Sequence, residues 1–82
     1  MAQCTYCGSS RSIEQDHVRA QSKGGVTTVP ACRVCNRMKG DKSLSEFIRW
    51  VKRNDPYRAQ RMREHNKGKR GKIAQTIRNN LN

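Results

Sequence analysis

A small α+β domain, in which two short strands lead into a run of helices around a bound metal, is the fold class this sequence predicts. Three observations predict it. The chain has 82 residues, of which 33% are hydrophobic and four are aromatic, so apolar packing alone leaves one small domain short of stability. Its four cysteines fall in two pairs of identical spacing, which supplies an added constraint. Turn and cap residues then divide the chain into two strand-length segments followed by helix-length ones.

The pairs are Cys4-Thr5-Tyr6-Cys7 and Cys32-Arg33-Val34-Cys35, separated by 24 residues. Two residues between thiolates let a tight turn aim both sulfurs at one tetrahedral zinc, and two such knuckles make a complete four-sulfur site. Two disulfides or a redox CxxC are the competing readings. Met1 leads straight into "AQCTYCGSS" with no apolar signal-type stretch, which predicts a reducing, cytoplasmic compartment and disfavours disulfides. With four thiolates on one zinc no position is left for water, so this zinc is expected to be structural, and chemistry must lie elsewhere. No apolar run is long enough to span a bilayer, and no membrane partner is expected.

After the first knuckle, Gly8, Ser9 and Ser10 supply a turn, and a short strand is expected around Ser12 to Gln15. "SKGG" reads as a turn, and a second strand is expected near Val26 to Ala31, with Pro30 at an exposed or terminating position. A helix begins at the second knuckle and ends at Gly40. Ser43 with Glu46 forms a capping box for the next helix, whose Leu44, Phe47, Ile48 and Val51 share one face, with Trp50 at its edge. Asp55 before Pro56 starts another, through about Asn66. "NKGKRGK" interrupts it, and a last helix is expected over Lys72 to Asn80. Its stripe of Ile73, Ile77 and Leu81 is narrow, leaving it to fray, to dock on the body or to dock on DNA. Trp50 and Tyr57 are expected to pack rather than to stack on bases, and His65 to lie at the surface.

Charge narrows the partner. Eighteen lysines and arginines against six acids give a net charge of +12, which favours a polyanion, either nucleic acid or an anionic membrane surface. Through Cys35 there are four basic and two acidic residues; from Asn36 onward there are fourteen and four, so the second half carries ten of the twelve net charges. The chemistry-bearing residues sit in the first half. Asp16 and His17 are expected at the end of the first strand, and Asn36 follows the last cysteine; zinc would tie the two regions together. A carboxylate and an amide oxygen are hard ligands suited to Mg²⁺ or Mn²⁺.

In this order the segments "CTYCG", "DHVRAQSKGG" and "ACRVCNRMKGDKS" resemble the HNH nucleases, over about residues 4 to 47. The resemblance implies a ββα-metal core with a supporting four-cysteine zinc site, at residues 1–54, and a basic helical C-terminal extension of the same domain at 55–82. It implies a metal-dependent DNA endonuclease leaving 5′-phosphate and 3′-hydroxyl ends. Asp16 and Asn36 would then ligate the catalytic Mg²⁺ or Mn²⁺, and His17 would be the general base. The structural zinc would be held by Cys4, Cys7, Cys32 and Cys35. The family usually carries an asparagine that braces the histidine loop; this chain has none between His17 and Asn36, and Thr27 occupies the matching place. A threonine hydroxyl can still hydrogen-bond a backbone group.

Each role has a plainer alternative. Asp16 could cap a turn, His17 could be a satisfied polar residue, and Asn36 could cap the helix. Arg19, Lys23, Arg37 and Lys39 are candidate phosphate contacts or solvated cations. The competing function is a non-catalytic zinc-stabilised nucleic-acid-binding module, with a membrane-surface role a distant third. Double-stranded DNA is the expected partner, in the cytoplasm of a bacterial, archaeal or phage-infected cell. One chain holds one candidate centre, so cutting both strands takes either a homodimer or two successive nicks.

Overall fold

A computed structural model describes residues 2–20 and 26–82; the side chains of 17–20, 26 and 27 lie outside that description, as does the "SKGG" turn. The elements are β1 (Ile13–Ala20), β2 (Val26–Cys32), α1 (Arg33–Lys39), α2 (Leu44–Asn54), α3 (Pro56–Asn66) and α4 (Lys72–Leu81). β1 and β2 form a two-stranded antiparallel sheet in which Ile13 pairs with Cys32 and Asp16 with Val29. No described helix is long and apolar enough to cross a membrane.

β1 runs further than its local composition suggests, so Asp16 and His17 fall inside the strand and not at its end. The ladder carries it there: Arg19 pairs with Thr27 and Ala20 with Val26, across a register shift between His17 and Arg19. Pro30 sits inside β2 opposite Gln15. A two-stranded sheet leaves each strand with an outer edge, where a missing N–H costs nothing. The Pro30 carbonyl instead accepts from the Thr5 amide at 2.8 Å, seating the first knuckle on β2.

β2 turns into α1 without a loop, because Cys32 ends the strand and also caps the helix, its Sγ accepting from the Cys35 amide at 3.4 Å. Gly40 closes α1 with φ of 52°, a left-handed conformation that favours glycine. The α2 capping box is complete, with Ser43 and Glu46 each bonding the other's backbone N–H at 3.2 Å. Asp55 caps α3 through the Arg58 amide at 3.1 Å, ahead of Pro56.

The core gathers Tyr6 from the knuckle, Phe47, Ile48 and Val51 from α2, Met62 from α3, and Ile77 and Leu81 from α4. Each such side chain contributes roughly 1.5–3 kcal/mol on burial. α4 therefore docks on the body. Ala74 widens its narrow stripe, and basic side chains tie its end down: Arg78 donates to the Asn66 and Lys69 carbonyls at 2.7 Å each, and Arg63 to the Leu81 carbonyl at 2.7 Å. Trp50 packs half-buried against the core with the Lys42 ammonium 5.2 Å from its ring. Tyr57 does not pack as its type suggests; at the first turn of α3 it is 77% exposed, turned away from the core that Ala59 and Met62 enter.

Two contacts lock α3 onto the first knuckle. The His65 ring lies so close to Gly8 that a Cβ there would fall 2.6 Å from its Nδ1, and Gly8 also has φ of 82°. Burial and the neighbouring Lys69 lower the His65 pKa. Asn66, 1% exposed, donates from Nδ2 to the Tyr6 carbonyl at 3.0 Å and the Met62 carbonyl at 2.9 Å. Asn66→Ala leaves a buried knuckle carbonyl without its side-chain donor and should cost about 1–3 kcal/mol in chemical denaturation of the zinc-loaded protein. A loss within about 0.5 kcal/mol, the size of an ordinary surface substitution, would show that this anchor carries no weight.

Candidate active site

The two knuckles converge. All four cysteines are buried, and their sulfurs lie within 4.8 Å of one another, with Cys7 and Cys32 3.7 Å apart. Each knuckle repeats one local bond, the second cysteine's amide donating to the first one's sulfur at 3.4 Å: Cys7 to Cys4 and Cys35 to Cys32. Zinc–sulfur bonds of about 2.3 Å in a tetrahedron put sulfurs roughly 3.8 Å apart, so the cluster fits zinc. Without a metal the sulfurs compete for protons. Donation from Cys35 and Cys7 lowers the Cys4 pKa, and that same sharing with Cys4 pushes Cys35 up. A divalent cation resolves that competition by taking all four as thiolates.

Arg58 reaches this cluster from α3. Its Nη1 donates to Cys35 Sγ at 3.3 Å and Cys7 Sγ at 3.5 Å, while its Nε lies 3.5 Å from Asp55 Oδ2. Burial disfavours its charge, yet the neighbouring cysteine sulfurs, Cys35 foremost, outweigh that cost and hold the guanidinium pKa above its usual value. Such charge-assisted bonds drain negative charge from the sulfurs that would hold the metal.

Beside the cluster, β1 and α1 form a seam. Glu14 and Asp16, two apart on the strand, present one face, and Asn36 and Lys39, three apart on the helix, meet it. Asp16 is 6% exposed. Its Oδ2 accepts from the Tyr6 hydroxyl at 2.6 Å and lies 3.5 Å from the Lys39 ammonium. Burial, reinforced by the Asp16 bond, raises the Tyr6 pKa and keeps it a donor; its ring stands edge-on to Phe47 at 5.2 Å. Asn36 donates from Nδ2 to Glu14 Oε1 at 2.9 Å, and Arg33 Nε lies 3.3 Å from Glu14 Oε2. The Asn36 bond, then Arg33, holds the Glu14 carboxyl below its usual range.

The candidate residues thus separate into groups. Asp16 and Asn36 lie on the same seam, engaged by Lys39 and Glu14. Lys39, a candidate phosphate contact from sequence, is 3% exposed and addresses Asp16 instead. Arg37 is exposed on α1. Of His17, Thr27 and Arg19 the backbone is described: Thr28, not Thr27, pairs with His17, because the register shift moves Thr27 opposite Arg19. Irregularities of this kind re-aim side chains next to active sites. Lys23 lies outside the described residues. The sequence reading missed Tyr6, Glu14 and Arg58. Strand alternation from Asp16 could have flagged Glu14, whereas nothing local distinguishes Arg58 from its many basic neighbours.

A hard cation suits the seam's donors chemically. With Asn36 donating through its nitrogen, its oxygen faces elsewhere as an acceptor, and Asp16 and Glu14 add carboxylate oxygens. Lys39 already brings one positive charge to Asp16, which any metal there must displace or share.

A two-stranded antiparallel sheet running into a helix, with four cysteines grouped to bind a metal at the junction, defines a small zinc-stabilised ββα-metal domain. A family model for HNH endonucleases matches residues 4–52, which span both knuckles, the sheet, α1 and most of α2. The chain belongs to the HNH endonuclease family. Its substrate class is accordingly nucleic acid. No curated protein and no solved structure matches the chain. Arg58 and Asn66 lie beyond the matched residues, so the helical extension supplies contacts to the shared core.

Arg58→Met keeps the side chain's length and removes both N–H···S bonds. It should release zinc to a chromophoric chelator several-fold faster than wild type, with Arg58→Lys in between. Equal rates for all three would mean that the guanidinium does not stabilise the metal centre.

Proposed function

We propose that this chain is a metal-dependent DNA endonuclease that hydrolyses phosphodiester bonds to 5′-phosphate and 3′-hydroxyl ends. The observation that carries this reading is the seam within the family match: Asp16 and Asn36 face one another's elements there, and both elements are anchored by the same four cysteines. Asp16 and Asn36 would hold Mg²⁺ or Mn²⁺, and that ion, when bound, stabilises negative charge on the phosphoryl and leaving oxygens. His17 takes a proton from water as the water oxygen forms its bond to phosphorus. The P–O3′ bond breaks, and the 3′ oxygen leaves with the electron pair and is protonated from solvent.

Other side chains position these groups. Tyr6 and Lys39 fix the Asp16 carboxylate, and Glu14 fixes the Asn36 amide, so neither ligand has rotamers to lose when the substrate arrives. Thr27 takes the bracing role of the family's asparagine. Arg19, Lys23 and Arg37 contact phosphates of double-stranded DNA, and residues 55–82 act as a basic extension of the domain formed by 1–54. Cleavage of both strands proceeds through a homodimer or successive nicks.

One observation favours a second reading. The Lys39 ammonium beside Asp16 neutralises the carboxylate from within the protein, as suits a zinc-stabilised binding module without chemistry. Supercoiled plasmid distinguishes the two. With Mg²⁺ or Mn²⁺ the wild type should nick it, leaving ends that DNA ligase reseals, and His17→Ala at equal zinc content should be slower by about 10²-fold or more. Intact plasmid with both proteins, despite binding, selects the module; undiminished nicking by His17→Ala removes His17 as the base.

A further inference from the structure

We infer that a recess between the loop before β1, the second zinc knuckle and α3 is a second phosphate site, gripping the nucleic-acid backbone beside the Asp16 seam. The inference rests on nucleic acid being the ligand and goes beyond the proposed cleavage chemistry. The recess has a volume of about 340 Å³ and is lined chiefly by Ser9, Arg11, Ser12, Arg33, Arg58 and Arg61. Among the described residues four arginines and two serines line it, together with Cys32 and Val34, and no aspartate or glutamate does.

The four arginines are not equivalent. Arg33 already answers Glu14, and Arg58 answers Asp55 and two sulfurs. Among the described residues, the Arg11 and Arg61 side chains have no hydrogen-bond or ion-pair partner, so their charge is available to a ligand. They come from the loop before β1 and from α3, so two separate elements bring uncompensated arginines to the recess. Planar guanidinium groups match phosphate oxygens bidentately, and serine hydroxyls can complete the oxygen's bonds. The recess is an anion site in chemistry as well as in charge.

Its position fits a continuous strand. Cys32, which lines the recess, pairs with Ile13, three residues before Asp16 on β1. At about 3.3 Å per strand residue the two sites are roughly 10 Å apart along the sheet. Neighbouring phosphates of one strand can bridge a gap of that size, so one backbone can engage both sites. Contacts of this kind set position and register without reading bases.

The test compares Arg11→Ala/Arg61→Ala with Lys67→Ala/Arg70→Ala, which removes the same charge from the exposed α3–α4 turn. Affinity for a duplex oligonucleotide is measured across a salt series without added Mg²⁺ or Mn²⁺, so binding is read without cleavage. Zinc content and far-ultraviolet circular dichroism establish that each variant is folded. The recess variant should lose about one unit of log–log salt slope, corresponding to one phosphate contact, and bind at least several-fold more weakly, while the turn variant should change the slope much less. In parallel, inorganic phosphate should shift the Arg11, Ser12 and Arg33 amide resonances saturably in the wild type and not in the recess variant. An unchanged slope, or equal losses in the two variants, overturns the inference. Failure of plasmid cleavage with these binding differences intact would count against the nuclease reading alone.

Discussion

The close approach of four sulfurs is the constraint on which the rest of this molecule depends. Cys4 and Cys7 hold the N-terminal turn, while Cys32 and Cys35 hold the junction where β2 becomes α1. Tyr6, inside the first knuckle, spreads that constraint in three directions: its hydroxyl to Asp16, its carbonyl to Asn66, and its ring to Phe47. A small chain with a thin apolar core thereby gains an organising centre joining sheet, site and helices. The Arg58 bonds to Cys7 and Cys35 extend the same centre into α3.

The seam between β1 and α1 inherits its geometry from that centre. Burying Asp16 with a lysine and a tyrosine is expensive unless all three are satisfied, and removing one partner of such a buried pair typically costs about 3–5 kcal/mol. Holding that arrangement beside the metal cluster is consistent with a carboxylate kept in one orientation for use. Charge is divided accordingly, compensated along the seam and left uncompensated at Arg11 and Arg61 in the recess.

What could be read from the sequence was what is written locally. Ser43 with Glu46, Asp55 with Pro56, and Gly40 each stop or start a helix through bonds to their own neighbours, and all three boundaries appear in the structure. The paired cysteines announced their cluster by spacing alone. Features made by distant partners were not legible. β1 lengthens through pairing with β2 up to Ala20 and Val26, and α4 docks because Arg78 and Arg63 find carbonyls that no local pattern reveals. Burial of Lys39 against Asp16 likewise depends on two elements meeting, and a lone lysine in "NRMKG" looks like any solvated cation. Tyr57 erred the other way, an aromatic whose place on α3 faces solvent.

The most direct measurement of whether the seam performs metal-dependent hydrolysis is nicking of supercoiled plasmid by protein carrying one zinc per chain, as Mg²⁺ or Mn²⁺ is titrated in. Nicking should be absent at the start and rise to saturation with the added ion, while the zinc stoichiometry stays constant. Plasmid that stays supercoiled at every concentration of either ion, although the zinc-loaded protein binds it, would contradict a catalytic seam.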